Sequence, residues 1–171
     1  VDKFLWREGD NVWGAYGVTV DMGAPGMLAE LYLANTYNNS RQHQINNGHL
    51  IRVNSENVDG SRSIIQHQGI HLPRPAKDRL FEAWFTWKAV KLNGGRAAYV
   101  LGFVPLKEYP GEAGFEDLSK EGYKAAESTG VYFIEEMAPN VCRVTRIQTV
   151  DLNFTSLQKI IIDKAIDYLV K

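Results

Sequence analysis

HLPRPAKDRLFEAWFTWKAVKLNGGRAAYVLGFVPL, from His71 to Leu106, decides the fold. Pro73 and Pro75 punctuate its start, and a long run rich in aromatic and β-branched residues follows from Arg79. Asn93-Gly94-Gly95 then interrupts it, and a second apolar run follows. Asn and Gly accept the positive φ that a tight hairpin turn needs, so the stretch predicts two antiparallel strands. Strand alternation puts Phe81, Ala83, Phe85 and Trp87 on one face, and Leu80, Glu82, Trp84 and Thr86 on the other. On the partner strand Tyr99, Leu101 and Phe103 share a face. The aromatic surface of Phe81, Phe85, Tyr99 and Leu101 is either a filled core or the lining of a cavity.

Working outward, KFLWRE and NVWGAYGVTVDM read as two further strands. APGMLAELYLANTY reads as a helix, with Pro25 in its first turn and Met27, Leu28, Leu31 and Ala34 along one side. HLIRVNSEN and RSIIQHQGIHL lead into the central hairpin, and a polar stretch from Lys107 to Ser128 follows it as a surface excursion. GVYFIEEM and VCRVTRIQTVDL close the strand series around the turn APN. The last segment, TSLQKIIIDKAIDYLVK, is an amphipathic helix. Leu157, Ile160, Ile161, Ala165, Tyr168 and Leu169 form its apolar stripe, and Lys159, Asp163 and Asp167 its wet side. The order is α+β, and a curved antiparallel sheet wrapped around a long C-terminal helix buries that stripe best. This is a helix-grip architecture.

At 171 residues the chain fits one domain with a sizeable core. Charge is balanced, 19 Lys and Arg against 20 Asp and Glu, which excludes the basic field of a nucleic-acid binder. A single cysteine, Cys142, allows no internal disulfide and points to a reducing compartment. No apolar run is long enough to span a membrane as a helix. The start at Val1 suggests a domain excised from a longer protein. His67 and His71, four apart on a strand, lie about 13 Å apart and cannot share a metal ion. KLNGGRAA lacks the spacing of a phosphate loop. No metal or cofactor is expected.

LPRPAKDRLFEAWFTWK resembles the START family of helix-grip, lipid-transfer-related domains. The likeness lies in its Pro-x-Pro-x-x-(Asn/Asp)-Arg strand start, here Pro73, Pro75, Asp78 and Arg79, with the aromatic at Phe81. TGVYFIEEM is similar to the family strand after its long loop, and CRVTRIQTVDLN to the penultimate strand, which ends near Asp151. The helix from Thr155 is similar to the family's lid helix. In layout the likeness covers most of the chain. The chain departs from the family where DLNFTSL replaces a Gly-Pro after the Asp, where Phe133 stands in place of an Arg, and where an N-terminal helix is missing.

The resemblance implies a single START-like domain over residues 1–171 that binds a lipid or sterol in a tunnel between sheet and lid, without catalysis. Transient peripheral membrane contact and a cytoplasmic location go with it. It implies that Gln68 points inward and that Gln68, Phe81 and Met137 make an incomplete choline cage. The expected ligand-binding residues are Gln68, Phe81, Phe85, Trp87, Tyr99, Leu101, Phe133, Glu135, Arg146, Ile161 and Ala165. By alternation Val131, Phe133, Glu135 and Met137 share one face, and Cys142, Val144, Arg146 and Gln148 share one. An inward Glu135–Arg146 pair would orient a polar headgroup; the opposing expectation places both on a solvated face. Two rival functions are an interaction module with a filled core, and a cyclase or hydrolase using Glu135, Arg146 and Tyr99.

Overall fold

The computed structural model describes residues 2–8, 11–33, 50–57, 62–70, 72, 74, 76–111 and 122–153, with the backbone alone at 11 and 50–57. Two strands open the chain, β1 (Asp2–Glu8) and β2 (Asn11–Val20), followed by helix α1 (Ala24–Tyr32). Six more strands follow: β3 (Leu50–Asn57), β4 (Ser63–Ile70), β5 (Arg79–Lys91), β6 (Ala97–Pro105), β7 (Lys124–Ala138) and β8 (Val141–Asp151). All eight belong to one sheet in the order β1-β2-β8-β7-β6-β5-β4-β3. The expected C-terminal helix, with Ile161 and Ala165, lies outside the described residues, as do His43, His49, His71 and Ala34.

The hairpin that decided the fold forms as expected. Trp87 faces Leu101 and Phe85 faces Phe103 across β5 and β6. Gly94 and Gly95 take φ of 84° and 79°, the left-handed region that residues with a Cβ avoid. The Gly95 amide donates to the Leu92 carbonyl at 3.0 Å.

β7 corrects the sequence reading. It starts at Lys124, inside the stretch read as a surface excursion, because Arg79–Phe81 of β5 pair in parallel with Lys124–Ala126. β6 separates β5 and β7 over most of their length, so their direct pairing beyond Pro105 draws the sheet together at that end. Alternating small and polar residues hid the strand.

α1 lies on one face of the sheet, hereafter the inner face. Pro25 sits in its first turn, where a missing N–H costs no bond. Glu136 Oε2 accepts the Ala24 amide at 2.5 Å, placing a carboxylate at the positive end of the helix. Ala24 and Leu28 are buried against Leu101, Ile134, Cys142 and Val144. Burial pushes the Cys142 thiol upward in pKa, with the Glu136 charge adding to it. On the other face, Ile65 and His67 of β4 and Leu80 of β5 are buried as well. Tyr109 packs on Trp84 at 5.3 Å, and the Tyr123 ring lies against Gly69.

Arg79 ties the start of β5 to the chain just beyond β8. It is 1% exposed, yet its guanidinium is satisfied by main chain: Nε donates to Leu152 O at 2.6 Å and Nη1 to Lys77 O. Burial holds its pKa below the usual guanidinium value, with Asp78 opposing. Asp78 in turn accepts the Leu72 amide at 3.2 Å, and its own carbonyl accepts the Lys124 amide at 2.9 Å. The Asp-Arg pair that opens β5 is therefore a structural clamp. Arg79→Met leaves those carbonyls without their donor and should cost about 2–4 kcal/mol. Urea unfolding measures it; a loss under about 1 kcal/mol would contradict the clamp.

Candidate functional site: the inner face of the sheet

Strand pairing arranges the inner face in transverse rows. The row under α1 is Val18, Val144, Ile134 and Tyr99. The next is Tyr16, Arg146, Tyr132, Leu101 and Trp87. Then come Gly14, Gln148, Gly130, Phe103, Phe85 and Ile64. Beyond them Ala126, Phe81 and Gln68 form a row toward the closed end. Phe85, Trp87, Tyr99 and Tyr132 are only half-buried and pack around the α1 contact as its rim.

The rings are in mutual contact. Phe85 stacks on Phe103 at 5.0 Å between centroids, Trp87 meets Tyr99 edge-on at 6.1 Å, and Phe103 tilts against Tyr132 at 5.9 Å. Gly130 makes the Phe103 position possible. A Cβ there would lie 2.5 Å from Phe103 Cζ and 2.6 Å from the Ile147 carbonyl oxygen.

Arg146 places a positive charge among these rings. Its guanidinium carbon is 4.9 Å from the Tyr132 ring centre and 5.9 Å from that of Phe103. Such contacts contribute about 0.5–2 kcal/mol each. Nε is buried without a hydrogen-bond acceptor. The Tyr132 phenol is held neutral: burial pushes its pKa up to about 12, although the Arg146 charge works the other way. Gln66, also buried on this face, has an Nε2 donor with no acceptor.

Phe81, Phe85, Trp87, Tyr99, Leu101, Gln68 and Arg146 thus share the inner face, while Phe133 and Glu135 do not. The expected Glu135–Arg146 pair is absent. Glu135 lies on the outer face opposite Arg143 and Ala98, and pairs with Arg96 at 2.9 Å. The cause is a bulge. Ala138 pairs with Val141 and Glu136 with Cys142, so Met137 is an extra residue on β7. One extra residue exchanges the faces of everything beyond it. An unbulged ladder would set Phe133 opposite Arg146; the bulge sets Tyr132 there. Tyr132, Phe103, Tyr16 and Gln66 were not among the expected site residues. Phe103 was legible from its alternation with Tyr99 and Leu101, whereas Tyr132 needed the bulge.

No family model matches the chain, and no curated protein matches its sequence. Solved structures do match. The human StarD13 lipid transfer and protein localization domain aligns with 91% of this chain and 72% of its own, at 18% identity and a TM-score of 0.66. Human STARD10 aligns with 94% of this chain at 16% identity and a TM-score of 0.59, and this chain spans 58% of its length. A STAR-related lipid transfer protein from Xanthomonas axonopodis covers 85% at 13% identity and a TM-score of 0.61, over 73% of that chain. The fold is START-like. At these identities the likeness is one of fold, and the START-like inner face must be read from its own residues.

Two measurements test this geometry. Gly130→Ala should displace the Phe103 ring and cost about 1–3 kcal/mol in urea unfolding. An unchanged midpoint would show that the ring does not lie across Gly130. Tyr132 keeps its proton in the folded state to about pH 12, while the unfolded chain loses it near the ordinary tyrosine value. Its contribution is therefore whole below about pH 10 and lost as pH rises toward about 12, amounting to about 2–3 kcal/mol. Wild type should lose that much more stability over this interval than Tyr132→Phe; parallel pH profiles would contradict the burial.

Proposed function

We propose that this chain is a non-catalytic binding domain for one lipid-like molecule, seated on the inner face of the sheet. The observation that carries the reading is the floor of half-buried rings, Phe85, Trp87, Tyr99 and Tyr132, with the Arg146 guanidinium over Tyr132 and that of Arg62 over Trp87 at 4.6 Å. Ligand sites are mostly apolar with a few polar groups that fix orientation, and this face has that composition. The fold adds support, since the StarD13 and Xanthomonas domains that share it are named for lipid transfer. Apolar burial, about 25 cal/mol per Å², provides the driving force. Transfer would require the site to open transiently and the domain to touch a membrane briefly from one side. No helix among the described residues is long and apolar enough to cross one.

A non-catalytic role fits the placement of the groups named for acid–base chemistry. Glu135 is on the outer face, away from Tyr99 and Arg146 on the inner one.

The domain purified from a cellular host should carry a lipid detectable by native mass spectrometry. Phe85→Arg should abolish loading and leave the far-UV circular dichroism unchanged, because Phe85 is only half-buried. A wild-type domain that carries nothing and takes up no lipid from vesicles would overturn the reading in favour of a filled core.

A further inference from the structure

Resting on that reading, we propose that the molecule held on the inner face carries an anionic head, a carboxylate or phosphate, which Arg146 receives. The basis is the shortage of acid around this guanidinium. Its cross-strand neighbours are Tyr16 and Tyr132, and Val144 and Gln148 flank it on its own strand. None is a carboxylate. The three acids on adjoining β7 are otherwise engaged: Glu127 with Lys107 at 2.6 Å, Glu135 with Arg96 at 2.9 Å on the outer face, and Glu136 with the Ala24 amide at 2.5 Å. Among the described residues Arg146 has ring contacts and no ion pair, and its Nε lacks an acceptor.

Arg146 is half-buried with its Nε out of reach of water, and a charge partly withdrawn from water without a counter-ion is unfavourable. Ring contacts offset only part of it. An incoming anion relieves the remainder. Guanidinium presents a planar fork that matches the paired oxygens of a carboxylate or phosphate, and such charge-assisted bonds are about twice as strong as neutral ones. A neutral hydroxyl supplies one weaker acceptor and no charge. A zwitterionic head brings its own cation, which Arg146 repels and for which no described acid on this face is free.

The arms of the test separate head chemistry from chain chemistry. The 171-residue chain is titrated with oleate, oleyl alcohol, dioleoyl phosphatidic acid and dioleoyl phosphatidylcholine, each delivered from cyclodextrin and followed by calorimetry and native mass spectrometry. Oleate is expected to bind about tenfold or more tighter than oleyl alcohol. Phosphatidic acid should exceed phosphatidylcholine by a similar factor, and the tighter of the two acids identifies the head as carboxylate or phosphate. Arg146→Gln should close both gaps by weakening the acids alone. Equal binding of acid and neutral partner in wild type overturns the inference and leaves lipid binding standing, as does a gap that survives in Arg146→Gln. Failure of all four to bind overturns the lipid reading itself. The wild-type comparison stands whether or not the variant folds.

Discussion

One extra residue in a strand decides what the inner face is made of. Met137 bulges from β7 just before the turn into β8, and over the length of β7 away from that turn the strand presents the opposite set of side chains. Tyr132, Ile134 and Glu136 turn inward, while Phe133 and Glu135 turn outward. Each consequence follows from that shift. Glu136 reaches the start of α1 and fixes the helix on the sheet. Ile134 enters the core beneath it, and Tyr132 meets Arg146. A ladder in the other register would place Glu135 toward Arg146, neutralise the guanidinium and strip α1 of its capping carboxylate.

The resulting surface divides into a part packed beneath α1 and a part whose aromatics are half-buried. α1 covers Leu101, Ile134, Cys142 and Val144 with Ala24 and Leu28. The neighbouring rows, with their stacked rings and a glycine at position 130, carry the half-buried aromatics. Arg146 sits at the boundary, in the row next to the one beneath α1. The opposite end is drawn shut by the β5–β7 pairing and clamped by Arg79, whose donors reach Leu152 and Lys77. Here two arginines do different things for a plain reason: Arg79 donates from Nε and Nη1 to carbonyls, and the Nε of Arg146 has rings beside it in place of an acceptor.

Most of the architecture was legible from hydrophobic period and turn chemistry. Asn93-Gly94-Gly95 located the central hairpin, and strict alternation put Phe81, Phe85, Trp87, Tyr99 and Leu101 on one face. The same alternation failed at β7, because VYFI is apolar on both sides and period alone cannot choose between them. The choice rests on a bulge, which depends on how the turn at Pro139-Asn140 joins the strands; Asn140 adopts φ 59° there. The early half of β7 escaped notice for a different reason. Lys124–Ser128 is a strand by virtue of its neighbours, Arg79–Phe81 on one side and the end of β8 on the other. The Asp78-Arg79 motif was visible, but its work as a clamp was not, since the carbonyls it holds lie far along the chain.

The proposed site for a greasy molecule is the set of rows between α1 and the closed end of the sheet. Photolabelling with a diazirine-bearing fatty acid, read out by peptide mass spectrometry, tests it directly. Adducts on Phe85, Trp87, Tyr99 or Tyr132 are the predicted result. Adducts confined to the exposed apolar residues of the edge strand, Phe4, Leu5 and Trp6, would contradict the account.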